Sequence, residues 1–365
     1  MVVNEDSAND TFMEISPADF FYRNRDLAGF NNPSRAVYSA LRELLENSLD
    51  ACELYKIPPH IFLRLSSHDE QESTYTLRIM DNGSGVPPEY VPSAFGQILF
   101  GSKYKLKQVR GTFGLGGKMA ILYGQITTNS TAHIVSSLGK SNIFAFDVRI
   151  DIQRNKPEIV QKRVQKNGGH WHGTIVNFTL SGDYPRAMPK ILEYLKQTAM
   201  VNPYAEITFV DPKGRLFKYD RVTTKMPRPP TEVLPHPYGC DVETIRRIIK
   251  ISRCRNLLTF MSEHFHRVGK KTAQSFLEFA QLDPDLDPQK LTSAHIVQLV
   301  QTMQQYPSFL PPDASCLSPL GNELLTAGIH KELNPEFIYI KCFAKSQNST
   351  EMILFLNIVC NPRCI

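Results

Sequence analysis

The strongest constraint on the fold is one unbroken segment, Val37-Tyr-Ser-Ala-Leu-Arg-Glu-Leu-Leu-Glu-Asn-Ser-Leu-Asp-Ala-Cys52. It holds no glycine or proline and is rich in residues that lose little freedom in a helix. Val37, Leu41, Leu45, Leu49 and Cys52 recur at helical spacing and form one apolar stripe. Glu43, Asn47 and Asp50 fall at i, i+4 and i+7 on another face. A helix buried by one stripe can hold the carboxylate and the amide of the other at a pocket wall. Asn47 offers a neutral amide oxygen, a ligand that Mg²⁺ accepts beside phosphate oxygens and water. Glu43, one turn earlier, is placed to orient or deprotonate a water attacking a terminal phosphate. A merely solvated polar face would also satisfy this helix. The elements that follow decide between the two.

Two strands are expected next, at His60 to Leu65 and Tyr75 to Met80, the second alternating Tyr75, Leu77 and Ile79 with Thr76, Arg78 and Met80. It runs into Asp81-Asn82-Gly83-Ser84-Gly85. A carboxylate at a strand end, followed by glycines that let a ligand come close, can accept a hydrogen bond from an exocyclic amine such as that of adenine. Asp-Asn-Gly is also a hairpin signal, but Val86-Pro-Pro-Glu-Tyr-Val does not alternate like a return strand. A basic loop, Phe100 to Arg110, leads into Gly111-Thr112-Phe113-Gly114-Leu115-Gly116-Gly117-Lys118 and an apolar helical run, Met119 to Tyr123. Glycines before a helix expose backbone N–H groups and the positive helix end to a phosphate. Thr112 and Met119 exclude a Walker A loop, and Met119 also breaks the dinucleotide fingerprint. Strands are then expected at 125–129, 133–137, 144–152 and 173–180, a helix at Pro189 to Met200, and a hairpin around Asp211-Pro-Lys-Gly214. Thr174 can bring a hydroxyl near the adenine, and His170 and His172 point to opposite faces of an extended segment, which argues against metal binding there.

Composition supports a packed globular protein: 365 residues, 42% hydrophobic and 21% charged, with a mild net charge of +5. The seven cysteines include no C-x-x-C and read as reduced thiols of an intracellular protein. The acidic N-terminus has no apolar core for a secretory signal, and no run is long enough to span a bilayer. The expectation is therefore a cytoplasmic, nucleoid-associated protein, or a nuclear one in a eukaryote, with no membrane partner.

Four elements stand in order: E-x-x-x-N on a helix, D-x-G-x-G after a strand, a glycine loop before a helix, and a later Gly173-Thr174 on a strand. The ordered set resembles the GHKL ATPase superfamily. A longer match, through Glu14-Ile-Ser-Pro-Ala-Asp-Phe-Phe, Asn24-Arg-Asp-Leu-Ala-Gly-Phe, Arg42 to Ala51 and Phe100-Gly-Ser-Lys-Tyr-Lys-Leu-Lys-Gln, resembles the B subunit of DNA topoisomerase VI over about residues 14 to 340. The resemblance implies an α+β chain: a Bergerat-type two-layer α/β sandwich at 1–225, a small helix-two-turn-helix domain at 226–310, and the start of a transducer domain at 311–365. It implies ATP and Mg²⁺ as cofactors, Glu43 as the base that activates water, and Asn47 as the Mg²⁺ and phosphate ligand. Asp81 would read the adenine amine, Ser102 and Lys103 would line the nucleotide, and Gly111 to Lys118 would cover the phosphates.

A stretch with five prolines, Lys225 to Pro237, reads as a linker, and Asp241 then caps the first of several helices, at 241 onward, 257–265, 270–282 and 292–306. From Asp241 to Lys271 there are eight Lys or Arg against three Asp or Glu. Arg246, Arg247, Lys250, Arg253, Arg255, Lys270 and Lys271 are candidates to contact DNA phosphates without reading sequence. A helix at 317–333 and strands at 337–344 and 353–359 follow. In the resembled family a transducer continues well beyond this point, supplies a lysine to the terminal phosphate and docks the DNA-cleaving A subunit. The implied partners are that A subunit, double-stranded DNA and a second copy on ATP binding, giving a heterotetramer. No tyrosine here has a context for DNA cleavage. Two rivals remain: a mismatch-repair or chaperone type of GHKL ATPase, and a non-hydrolysing nucleotide- and DNA-binding scaffold.

Overall fold

Asn32 opens the organising helix. Its side chain accepts the Arg35 N–H, Pro33 fills the first helical position, and the helix α2 runs Pro33–Glu53 behind a short α1, Pro17–Arg23. This computed structural model describes residues 14–67, 73–101, 106–110, 115–313, 315–346 and 352–360, the side chains of 339, 341–346 and 352–360 excepted. The first half continues as β1 His60–Ser67, β2 Thr74–Met80, α3 Val91–Gly96 and α4 Gly116–Thr128. It is completed by β3 Ala132–Leu138, β4 Asn142–Asp151, β5 Lys156–Lys166, β6 His172–Ser181, α5 Tyr184–Val201, β7 Glu206–Val210 and β8 Leu216–Tyr219.

All eight strands join one sheet in the order β5-β4-β3-β6-β2-β1-β7-β8. Only β1 and β7 run parallel; the other neighbours are antiparallel. Alternation decides which face is dry. Ile61, Leu63 and Leu65 of β1 and Tyr75, Leu77 and Ile79 of β2 point to the helices and are buried, whereas Arg64 and Arg78, opposite one another, are exposed. Against that dry face lie Leu41, Leu45 and Leu49 of α2, Met119 to Leu122 of α4, and Ile191 and Leu195 of α5. The result is one helical layer on one sheet, the mixed α+β sandwich expected for this half.

Three local expectations fail. Residues 125–129 are not a strand: α4 continues to Thr128, and Thr127 and Thr128 turn their hydroxyls back to the carbonyls of Tyr123 and Gly124. Their β-branched character suggested a strand, but Gly124 lets the helix lie so close to β6 that a Cβ there would overlap Thr179 O. β5 was not expected at all. It is an edge strand exposed on nearly every residue, so it carries no alternation to read. Pro189 does not start α5: the Asp183 side chain caps the Arg186 N–H one turn earlier, and Pro189 sits inside the helix.

The residues up to 104 and from 109 to 226 form one compact unit; residues 105–108 and those from 227 onward form another. In the second unit α6 Val242–Ile251, α7 Leu257–His264, α8 Lys270–Phe279 and α9 Ser293–Gln305 bury a core of their own. Phe276, Tyr306 and Phe309 meet there at centroid separations of 4.7 to 5.5 Å. α10, Gly321–Leu333, begins later than expected from the sequence, and β9 Ile338–Ser346 pairs with β10 Met352–Cys360 as an antiparallel hairpin. Leu106 and Gln108 are hydrogen-bonded into this unit. Leu106 O accepts the Val233 N–H at 3.1 Å, and the Gln108 N–H donates to Cys316 O at 2.8 Å. Among the described residues no helix is long and apolar enough to cross a membrane.

Candidate functional site

Three elements of the first unit converge on α2: the end of β2, the start of β6 and the start of α4. Asp81 leaves β2 and is 5% exposed. Its Oδ1 accepts the Gly83 N–H at 2.9 Å and the Thr174 N–H at 3.2 Å, and its Oδ2 accepts the Ser48 hydroxyl at 3.0 Å. The Asp81 N–H in turn donates to Thr174 O at 3.0 Å. Burial pushes the Asp81 carboxyl up to about 6, against those hydrogen bonds and the nearby His172, which pull it down. Thr174 is buried beside it, and the His172 ring meets Gly83 O at 2.9 Å. Gly83 passes so close to α2 that a Cβ on it would stand 2.9 Å from Ala51 Cβ. The strand end and the helix are therefore locked together at a buried carboxylate.

One turn earlier on α2, Glu43 and Asn47 face the first turn of α4. A Cβ on Gly116 would overlap Glu43 Oε2, and one on Gly117 would lie 3.1 Å from Asn47 Nδ2. Glycine is required at the first of these positions by that approach. A carboxylate thus lies against the positive end of a helix, a place suited to phosphate oxygens. Lys118 is buried in the same turn and donates to Phe100 O. Leu115 directly precedes the helix. Among the described residues no group of three or more His, Cys, Asp or Glu could hold a metal ion by itself. The Asn47 amide oxygen is a donor of the kind Mg²⁺ accepts beside phosphate oxygens and water.

Of the residues expected at the site, Glu43, Asn47, Gly116 and Gly117 come together at the α2–α4 contact, and Asp81 and Thr174 meet a few residues along α2. Ser102, Lys103, Gly111, Thr112, Phe113 and Gly114 lie outside the described residues. Sequence reasoning missed Ser48, although it directly follows Asn47 on the same helix. It also missed Arg110, which read as the end of a solvated basic loop. Arg110 is bound on all sides: to Asp50 Oδ1 at 3.0 Å, to both Glu53 oxygens at 2.6 and 2.9 Å, and to Asn202 Oδ1 at 2.9 Å. Asp50 is 4% exposed and its Oδ2 also accepts the Arg110 N–H. The third member of the polar stripe is thus an anchor for the chain just before the glycine loop. Its acidic i+3 partner Glu53 was the available signal.

In the second unit Arg246, Arg247, Lys250, Arg253, Lys270 and Lys271 are all exposed. Arg246 donates to Ser293 Oγ at 3.3 Å and Arg247 pairs with Glu243 at 3.4 Å. Arg253 and Arg255 line a shallow depression with Cys254, Thr259, Glu263 and His264.

Residues 32–180 match the family of histidine kinase-, DNA gyrase B-, and HSP90-like ATPases. The chain is 44% identical over 336 residues to the B subunit of type 2 DNA topoisomerase 6 from Metallosphaera sedula, covering 91% of this chain and 63% of that protein. It is 43% identical over 333 residues to the corresponding protein of Saccharolobus islandicus, with the same coverage. The chain therefore spans about 63% of the length of these curated relatives. Among solved structures, the Aquifex aeolicus MutL ATPase domain complexed with ADP is 19% identical with a TM-score of 0.34, covering 51% of this chain and 64% of that one. The N-terminal domain of a DNA repair protein is 15% identical with a TM-score of 0.37, covering 54% of each. Scores that low carry no argument of their own.

Proposed function

We propose, on the premise that the chain belongs to the family of type 2 DNA topoisomerase 6 B subunits, that its first unit binds and hydrolyses ATP. The observation that carries this reading is the contact of Glu43 and Asn47 with the first turn of α4, a few residues along α2 from the buried Asp81. Asp81, ionised, accepts the adenine amine through the free capacity of Oδ2, and Thr174 flanks it. Gly116, Gly117 and Lys118, with Leu115 and the residues 111–114, surround the phosphates. Glu43 takes the proton of the attacking water as the bond to the terminal phosphate breaks, and ADP leaves with the electron pair. Mg²⁺, held through Asn47 and the phosphates, would neutralise charge developing on the phosphate oxygens. Ser102 and Lys103 line the nucleotide.

The whole-protein reading follows from the same family. The chain would act as the ATPase subunit of a type IIB topoisomerase, closing as a dimer on ATP and gating passage of one duplex while an A subunit cleaves another. In this reading residues 226–310 form the helix-two-turn-helix domain that meets DNA phosphates, and residues 311–365 begin the transducer. The assembly is a heterotetramer with the A subunit, associated with the nucleoid or nucleus. The test is single-turnover ATP hydrolysis by the chain. Glu43→Ala is expected to remove hydrolysis and leave nucleotide affinity within about twofold, the pattern of a group used only in the transition state. Equal turnover in the variant and the parent would refute the assignment.

A further inference from the structure

Arg42 is an unexpected neighbour of the proposed base. Its Nη2 donates to Glu43 Oε1 at 2.5 Å. Side chains at i and i+1 of a helix diverge and do not normally face each other, whereas i and i+4 do. The ordinary partner of Arg42 is therefore Glu46, which its Nε reaches only at 3.7 Å. That Nε is buried and makes no hydrogen bond. The guanidinium keeps an ion pair with Glu46 but gives its hydrogen bond to Glu43, and Nε is left without one. Surrounding groups explain how this is possible. The Tyr194 hydroxyl donates to Glu46 Oε1 at 3.2 Å and holds that carboxylate elsewhere. Burial, and then the charge of Glu43, raise the pKa of Glu46, while Arg42 pulls it down. The Tyr38 ring lies 6.0 Å from the Arg42 guanidinium, with Lys190 at 4.4 Å from the same ring.

The consequence falls on Glu43. One oxygen is tied to Arg42, and the other, Oε2, is left against Gly116 at the start of α4. An unbranched side chain with several rotatable bonds is thereby held with a single oxygen presented to the phosphate end of the site. We propose that Arg42 is a positioning residue for hydrolysis: it fixes the Glu43 carboxylate so that Oε2 alone takes the proton of the attacking water. This rests on the reading of Glu43 as the base. Arg42 itself touches neither the nucleotide nor the water.

The test compares Arg42→Ala, Arg42→Lys, Glu46→Gln and Glu43→Gln in the full chain, by single-turnover hydrolysis and by nucleotide dissociation constant. Arg42→Ala is expected to slow hydrolysis at least tenfold with affinity unchanged within twofold. Arg42→Lys, which keeps the charge, should recover part of the rate. Glu46→Gln should stay within twofold of the parent. A parallel loss of affinity and rate in Arg42→Ala, or an equal loss in Glu46→Gln, would overturn the proposal. If Glu43→Gln abolishes hydrolysis while Arg42→Ala leaves it intact, only the Arg42 role fails; if Glu43→Gln is fully active, the base assignment itself fails. A second readout needs no turnover. In the nucleotide-free chain, nitrogen-15 spectra should show hindered rotation of the Arg42 guanidinium, released by Glu43→Gln and not by Glu46→Gln. The opposite pattern would place the cation on Glu46 and sink the idea.

Discussion

Replacing Asp81 by Asn should move stability and nucleotide affinity in opposite directions. The carboxyl is buried and its pKa is raised from 3.8 to about 6. At 1.36 kcal/mol per pH unit, that difference is about 3 kcal/mol held against the ionised side chain. Because the folded value is raised, the penalty is absent below the unfolded value of 3.8, grows as pH rises, and is complete above about 6. Asn is neutral and nearly the same shape. Its oxygen keeps the Gly83 and Thr174 N–H bonds, and its amide can donate to the Ser48 hydroxyl. The nucleotide-free variant should therefore be more stable by about 1–3 kcal/mol at pH 8, with roughly half that gain at pH 5. The amide now turns a donor toward the adenine amine, which is also a donor. Losing a charged acceptor and opposing two donors should weaken ATP binding by about 2–3 kcal/mol, on the order of 30- to 150-fold. The single tryptophan, Trp171, adjoins β6 in the same unit and reports its urea unfolding by fluorescence. A fluorescent ATP analogue reports binding. A variant that is less stable by more than about 1 kcal/mol, or binds ATP like the parent, or gains the same stability at both pH values, would refute the account of a strained, ionised acceptor.

Other outcomes follow from the same geometry. Gly116→Ala drives a methyl group into Glu43 Oε2; it should lower single-turnover hydrolysis at least tenfold, and an unaffected rate would show that the two groups part when nucleotide binds. Arg110→Ala leaves Asp50 buried without its cation; it should destabilise the first unit by about 3–5 kcal/mol in the Trp171 assay, and a change under 1 kcal/mol would mean that the network contributes little. Neutralising Lys270 and Lys271 together should flatten the salt dependence of duplex binding, log K against log salt, by about 1.8 if both meet phosphates. DNA binding that is insensitive to salt in the parent chain would remove the phosphate-contact reading.

How much was legible depends on whether a residue's role is set by its own neighbourhood in sequence. The organising helix was readable because its stripe and its good formers agree locally, although its cap at Asn32 and its first turn from Pro33 lie before the segment read from Val37. The carboxylate after β2 was readable because a strand pattern stops abruptly at Asp81-Asn82-Gly83. β5 was not readable, since an edge strand with both faces in solvent has no alternation. The helical state of residues 125–128 was decided by close packing on β6, which overrode the β-branched residues.

The sequence by itself determined which groups were available: a carboxylate and an amide one turn apart, a strand-end carboxylate, and glycines before a helix. Periodicity and spacing act over a few residues, so one chain suffices to reveal them. Tertiary structure alone decided how those groups are held. Ser48 on Asp81, Arg110 on Asp50 and Glu53, and the hydrogen bond of Arg42 to Glu43 all depend on distances of a few ångströms. The first two join residues far apart in sequence. The third joins neighbours on α2, but the Tyr194 hydroxyl that reaches Glu46 comes from α5, and no pattern along α2 would foretell it.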